Sequence, residues 1–209
     1  MDGTLIDSWK GITRSIKYAL GEIGIEVNDK KDLVSFVGPP IKEALRYNYG
    51  LDEKKIDEFL IYYRRRYSSE GLHESVMFKG TKGFLKMLKK QGRDIYLATS
   101  KPELYAKEIL KNLDAAKYFS GIHGASMDEK IVEKIDILNN AIKEHDLALK
   151  ESIMVGDRVY DIHAAMTKGV DSVFFRAGYA DEKEAKMLKK EATYTVKDTK
   201  ELISLFERI

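Results

Sequence analysis

From Phe78 to the C-terminus, short apolar runs alternate with stretches whose apolar residues recur every three or four positions. That alternation predicts a helix at about 81–91, the strand "DIYLATS", a helix at about 102–113 and a weaker strand within "YFSGIHGAS". A helix at about 130–145, the strand "SIMVGD", a helix at about 159–168 and the strand "SVFFRA" follow. A polar helix at about 181–190, the short strand "TYTV" and a helix at about 198–208 end the chain. Strands alternating with helices of this size imply right-handed crossovers and a parallel sheet with helices on both faces.

The section before Phe78 reads differently. In "WKGITRSIKYALGEIG", Ile12, Ile16, Ala19, Leu20 and Ile23 fall at helical spacing, and Gly21 and Gly24 mark where that helix weakens and stops. "GPPIKEALRYNYG" sets Pro39 and Pro40 at a helix entrance and Gly50 at its exit. "DEKKIDEFLIYYRRRYSSEG" begins acidic and ends basic, which suits a helix dipole. The expected architecture is an α/β core, residues 1–8 and 76–209, carrying an all-helical insertion, residues 9–75.

Composition narrows the function classes. Lys and Arg number 36 against 34 Asp and Glu, so no strong charge draws the chain to nucleic acid or an anionic membrane. "YYRRRY", with Arg64, Arg65 and Arg66 among Tyr62, Tyr63 and Tyr67, reads as a helix with a partly solvated basic face, Phe59, Tyr63 and Arg66 sharing one side. The absence of cysteine excludes disulfides and thiolate chemistry. No apolar run is long enough to span a membrane, and the N-terminus lacks the order of a signal peptide, so a soluble cytoplasmic protein is expected. The four histidines, His73, His123, His145 and His163, show no ligand spacing, and no zinc site is expected.

Ligands of open parallel sheets bind beyond the carboxyl ends of the strands, where this sequence puts its polar residues. "IYLATSKP" delivers Thr99 and Ser100, and "IMVGDRVYD" delivers Asp157 with Asp161 four residues on, near one face of a first helical turn. Two neighbouring carboxylates repel unless a cation sits beside them, and Mg²⁺ suits one or two carboxylates with waters and phosphate oxygens. Helix capping explains each motif singly. Their joint occurrence around one sheet points to chemistry.

Together these motifs resemble the haloacid dehalogenase superfamily, in the branch with a helical cap that includes phosphoglycolate phosphatase. "MDGTLIDS" matches all but the first residue of that family's opening motif, D-x-D-G-T-L-x-D-S. Thr99 in "ATSKP" matches the second motif, and "VGDRVYD" the acidic fourth. The third-motif lysine falls at Lys134 in "GASMDEKIVEKIDILNNAI", with Lys130 as its competitor. "FVGPPIKEAL" and "YYRRRYSSEGL" resemble the cap.

The resemblance implies a Mg²⁺-dependent phosphatase of small phosphorylated metabolites, monomeric or homodimeric, working through an aspartyl phosphate. Asp2 would act as acid and base and hold metal through its backbone carbonyl. Gly3, Thr99, Ser100 and Lys134 would receive the phosphoryl group, and Asp157 and Asp161 would complete the metal site. The family's nucleophile lies two residues before Asp2, ahead of Met1, at the end of an apolar strand. Residues 1–209 alone are therefore expected to bind Mg²⁺ weakly and not to turn over. The rival reading is a catalytically inactive homologue that binds a phosphorylated ligand or a protein partner.

Overall fold

The computed structural model describes residues 1–27, 33, 36, 41–128 and 130–209. Pro39 and Pro40, expected at a helix entrance, lie outside the described residues. The chain divides into two units, Met1–Asp7 with Val76–Ile209, and Ser8–Ser75.

The second unit is helical. Its elements are α1 (Trp9–Glu22), α2 (Ile41–Tyr49) and α3 (Glu53–Ser69), the last capped by Asp52, whose side chain accepts the Lys55 N–H. Apolar positions at helical spacing meet in one core of Ile16, Leu20, Leu45, Ile56, Phe59 and their neighbours. Phe59 stacks on Tyr63 and Tyr63 on Tyr67, so the aromatic residues of "YYRRRY" extend a packed row. Arg66, expected on the side of Phe59 and Tyr63, is held out of solvent. Its side chain is 12% exposed and bonds Ser15 and Glu74, with Arg14 bonding Glu74 as well. Burial works against ionising Glu74, but hydrogen bonds from Arg14 and Arg66 hold its carboxyl below the usual range.

The first unit alternates strands and helices. In order they are β1 (Ile6–Asp7), β2 (Val76–Met77), α4 (Thr81–Lys90), β3 (Tyr96–Pro102), α5 (Glu103–Asn112), β4 (Gly121–Ala125) and α6 (Lys134–His145). Then come β5 (Ile153–Gly156), α7 (Val159–Lys168), β6 (Asp171–Phe175), α8 (Glu182–Glu191), β7 (Tyr194–Val196) and α9 (Thr199–Phe206). Strand β3 pairs parallel with β4, and β5, β6 and β7 form a three-stranded parallel sheet in that order. The antiparallel ribbon of β1 and β2 was not foreseen, because two residues per strand carry no periodicity.

Strand β6 shows why the sheet is covered twice. Val173 and Phe175 point into a cluster with Phe84, Leu88, Leu202 and Phe206 from α4 and α9. Phe174, between them in sequence, packs the other way against Ile162 and Leu188 from α7 and α8. Strand alternation sends neighbours to opposite faces, so a continuous apolar run requires helices on both.

Among the described residues, β3 and β5 belong to separate sheets and do not pair with each other. One edge of each is thus left outside the strand ladders. No described helix is long and apolar enough to cross a membrane.

Candidate active site

The opening residues fold on themselves. The Met1 carbonyl accepts N–H bonds from Thr4, Leu5 and Ile6, and Gly3 returns its own N–H to Ile6 at 2.9 Å. Gly3 has φ +73°, a left-handed conformation that favours glycine, and a methyl group there would run into the Asp157 carboxylate. This turn carries Thr4, whose hydroxyl donates to Asp157 Oδ1 at 2.7 Å.

Asp157 follows β5, whose chain runs into α7. It is buried, 2% exposed, and its Oδ2 accepts the Tyr179 N–H at 2.9 Å. A methyl group on Gly178 would also strike it, so glycines close in on Asp157 from two sides. Burial, and then the charge of Asp161, push the Asp157 carboxyl up to about 6. Replacing Gly178 with alanine is expected to displace this carboxylate and to lower stability by about 1–3 kcal/mol, as overpacking does. Thermal unfolding of the variant checks it.

Asp161, in the first turn of α7, accepts the N–H groups of Asp157 and Arg158 at 3.2 Å each through Oδ2. That is a helix-start role, which the capping reading anticipated. Its Oδ1 does something more, meeting Lys134 Nζ at 2.9 Å, with both side chains buried. Burial opposes ionisation of Asp161, but the Lys134 charge and hydrogen bond hold its carboxyl below the usual range.

Lys134 is the first residue of α6, and its Nζ also donates to the Ala98 carbonyl of β3 at 3.1 Å. It therefore links the β3 end to the β5 end. Its competitor Lys130 has an 81% exposed side chain and pairs with Asp128. The expected helix over 130–145 starts at Lys134 because the chain before it is a loop closed by Ser126, which bonds Ile131 through backbone and side chain.

Thr99, 3% exposed, accepts the Lys101 N–H at 3.2 Å, while Ser100 is exposed. Lys101 sends its own side chain back to Asp2, Nζ to Oδ2 at 3.3 Å. Sequence reasoning missed Lys101, Thr4 and Tyr179. Lys101 sits in the same "TSKP" run as Thr99 and reads there as a surface cation. Tyr179 meets Asp157 through its backbone N–H and donates its hydroxyl to Asp7 Oδ1 at 2.9 Å, contacts across the chain that no local pattern reports.

The Met1 backbone nitrogen senses all these charges. Lys134, Asp161, Asp2 and Asp157 all lie near that nitrogen. Two carboxylates, a lysine and the Asp2 turn thus meet beyond the carboxyl ends of β3 and β5.

This arrangement sets anionic and cationic groups together at the ends of parallel strands, the place where open α/β sheets bind their ligands. The chain belongs to the haloacid dehalogenase-like hydrolases, whose family model matches residues 1–175. It is similar to a 5′-nucleotidase of Pseudomonas aeruginosa, 34% identical over 184 residues, covering 88% of this chain and 83% of that protein. It is also similar to the tyrosine-protein kinase PtkA of Mycobacterium tuberculosis, 36% identical over 179 residues, covering 86% of this chain but 61% of PtkA. A phosphoglycolate phosphatase of Pseudomonas syringae is 27% identical over 187 residues, covering 86% of this chain and 68% of its own length. Among solved structures, a predicted phosphatase from Clostridium acetobutylicum superposes with a TM-score of 0.91 at 35% identity, covering 100% of this chain and 96% of its own.

Proposed function

We propose that this chain forms the body of a Mg²⁺-dependent phosphatase of small phosphomonoesters, with 5′-nucleotides and phosphoglycolate-like compounds as the candidate substrates. The observation that carries the reading is the meeting of Asp157, Asp161 and Lys134 beside the Asp2 turn. The nucleotide candidate draws on the relative named 5′-nucleotidase, which this chain matches over 83% of that relative's length. The helical unit, residues 8–75, is the proposed cap that selects among substrates.

The donor set fits a hard cation. Asp157 is a buried carboxylate facing a second one, and its elevated pKa reports the cost of ionising it there without a cation. Asp157 would hold Mg²⁺ directly and Asp2 through its backbone carbonyl. Asp161, whose oxygens already serve Lys134 and two N–H groups, would reach the ion through water. When bound, the ion supplies charge neutralisation and alignment of the phosphoryl group.

The protein's own groups do the rest. Lys134, fixed by Asp161 and the Ala98 carbonyl, offsets charge on the phosphoryl oxygens. Thr99 and Ser100 receive those oxygens, and Gly3, whose own N–H is taken by Ile6, shapes the turn beside them. Asp2 donates a proton to the leaving oxygen and later takes one from the attacking water. Lys101 holds the Asp2 carboxylate toward the site.

The nucleophile of this proposal is a carboxylate on a strand lying between β3 and β5 and running into Met1. Such a strand would pair with the edges that β3 and β5 leave outside their ladders. Its last residues would enter the charge cluster at the Met1 nitrogen. Hydrolysis of a panel of nucleoside monophosphates and short phosphorylated acids, with and without Mg²⁺, tests the reading in a chain that includes this strand. The expected result is Mg²⁺-dependent release of phosphate from at least one of them. No release from any would favour the inactive homologue.

A further inference from the structure

At the opposite end of α6 from Lys134, the fold assembles a second group of metal-ligating side chains. His123 lies on β4, and Glu144 and His145 close α6. No local spacing joins the two histidines, which stand 22 positions apart, but α6 packs back along β3 and β4 after its crossover. Without ligand spacing along the chain, this pair nevertheless meets in space. Their Nε2 atoms are 3.0 Å apart, and the rings meet edge to face with centroids 5.1 Å apart.

We propose that His123, His145 and Glu144 form a binding site for a borderline divalent transition metal of the Zn²⁺ type. One ligand atom from each of the three lies within 4.8 Å of the others. Two nitrogens sharing a tetrahedral Zn²⁺ at ordinary bond lengths stand about 3.3 Å apart, a shift of a few tenths of an ångström from the observed pair. Glu144 approaches both rings, its oxygens 3.8 Å from His145 Nε2 and 3.9 Å from His123 Nδ1. Its side chain is 67% exposed, so rotation can bring an oxygen to the ion without disturbing the fold.

Four features suit a cation here. The site lies at the C-terminal end of α6, where the last carbonyls give the helix its negative pole. Burial lowers the pKa of His123 and so favours the neutral imidazole, the form that ligates. Gly121 leaves room for the second ring, because a methyl group there would strike His145 Nε2. His123 and Glu144 also line a cleft of about 570 Å³, which gives an ion and a fourth, water ligand a route from solvent. Two imidazoles and a carboxylate favour Zn²⁺ over Mg²⁺, which prefers oxygen ligands throughout. The bound ion would tie the end of α6, the helix that begins with Lys134, to β4.

The test is calorimetric titration with Zn²⁺, in excess Mg²⁺, of the chain that includes the strand ahead of Met1, paired with thermal unfolding and the visible spectrum of a Co²⁺-loaded sample. One equivalent is expected to bind and to raise the unfolding midpoint. His145→Gln should weaken Zn²⁺ about 100-fold, one ligand's share of a site of this kind. Glu144→Gln, on an exposed side chain, should weaken it less while leaving the unfolding of the metal-free chain unchanged. His163→Gln and Asp157→Asn should leave the Zn²⁺ affinity at this site unchanged. The proposal is overturned if neither His145→Gln nor Glu144→Gln moves the affinity, or if Asp157→Asn removes it, which would put the ion at the acidic cluster. Absence of saturable Zn²⁺ binding overturns it too, and leaves the pair as a plain hydrogen bond between neutral imidazoles.

Discussion

Replacing Lys134 with alanine is expected to lower phosphatase activity by about 10²–10³-fold, while Lys130→Ala leaves it nearly unchanged. The difference rests on placement. Lys134 is buried between Asp161 and the Ala98 carbonyl, at the point where both strand ends converge. Lys130 stands in solvent beside Asp128. The alanine variant also leaves Asp161 buried without its cation, and breaking a buried pair from one side costs about 3–5 kcal/mol. Stability and rate must therefore be separated. Lys134→Met keeps most of the side-chain volume, and kcat measured well below the unfolding midpoint of each variant reads the catalytic part alone. Loss of rate on removing Lys130, with Lys134→Met fully active, would show that the third motif lies in the loop rather than at the start of α6.

The second large effect concerns the sheet. A chain extended ahead of Met1 by an apolar strand ending in aspartate is expected to unfold at a higher temperature than residues 1–209 and to hydrolyse phosphomonoesters. The strand would add ladder hydrogen bonds to β3 and β5, and each buried polar group without a partner costs about 1–3 kcal/mol. Residues 1–209 alone are expected to unfold broadly or to aggregate, since open strand edges invite intermolecular pairing. Thermal unfolding and initial rates at matched Mg²⁺ compare the two forms. A cooperatively folded, active shorter form would contradict the proposed place of the nucleophile.

Much of the core was legible because its signals are local. Helix α7 begins and ends where the pattern placed it, at Val159 and Lys168, since Asp161 caps one end and Gly169, at φ +65°, stops the other. Strand β6 announced itself by an unbroken apolar run that a sheet covered on both faces requires. The acidic pair was visible for the same reason, being four residues apart on one helical turn. What the sequence hid is long-range. Thr4 meets Asp157 across 153 positions, and His123 meets His145 through a crossover. Lys101 looks like a surface cation until the chain bends its ammonium toward Asp2. The pairing of Arg66 with Glu74, eight positions on, likewise shows only once the chain after α3 is placed. No periodicity encodes such meetings, because they follow from how elements pack and not from how each one forms.

The central claim is that the buried cluster around Asp157 is the metal-dependent centre of a phosphatase. The most direct measurement is the rate of phosphomonoester hydrolysis as a function of Mg²⁺ concentration, for the strand-completed chain and its Asp157→Asn variant. That variant keeps the side-chain shape; its amide oxygen can accept the Tyr179 N–H while its amide nitrogen donates to the Thr4 hydroxyl, so the fold is expected to hold. The account predicts a parent rate that rises and saturates with Mg²⁺, and a variant whose rate is at least about 10²-fold lower at every concentration. A variant that retained both the rate and its Mg²⁺ dependence would contradict it.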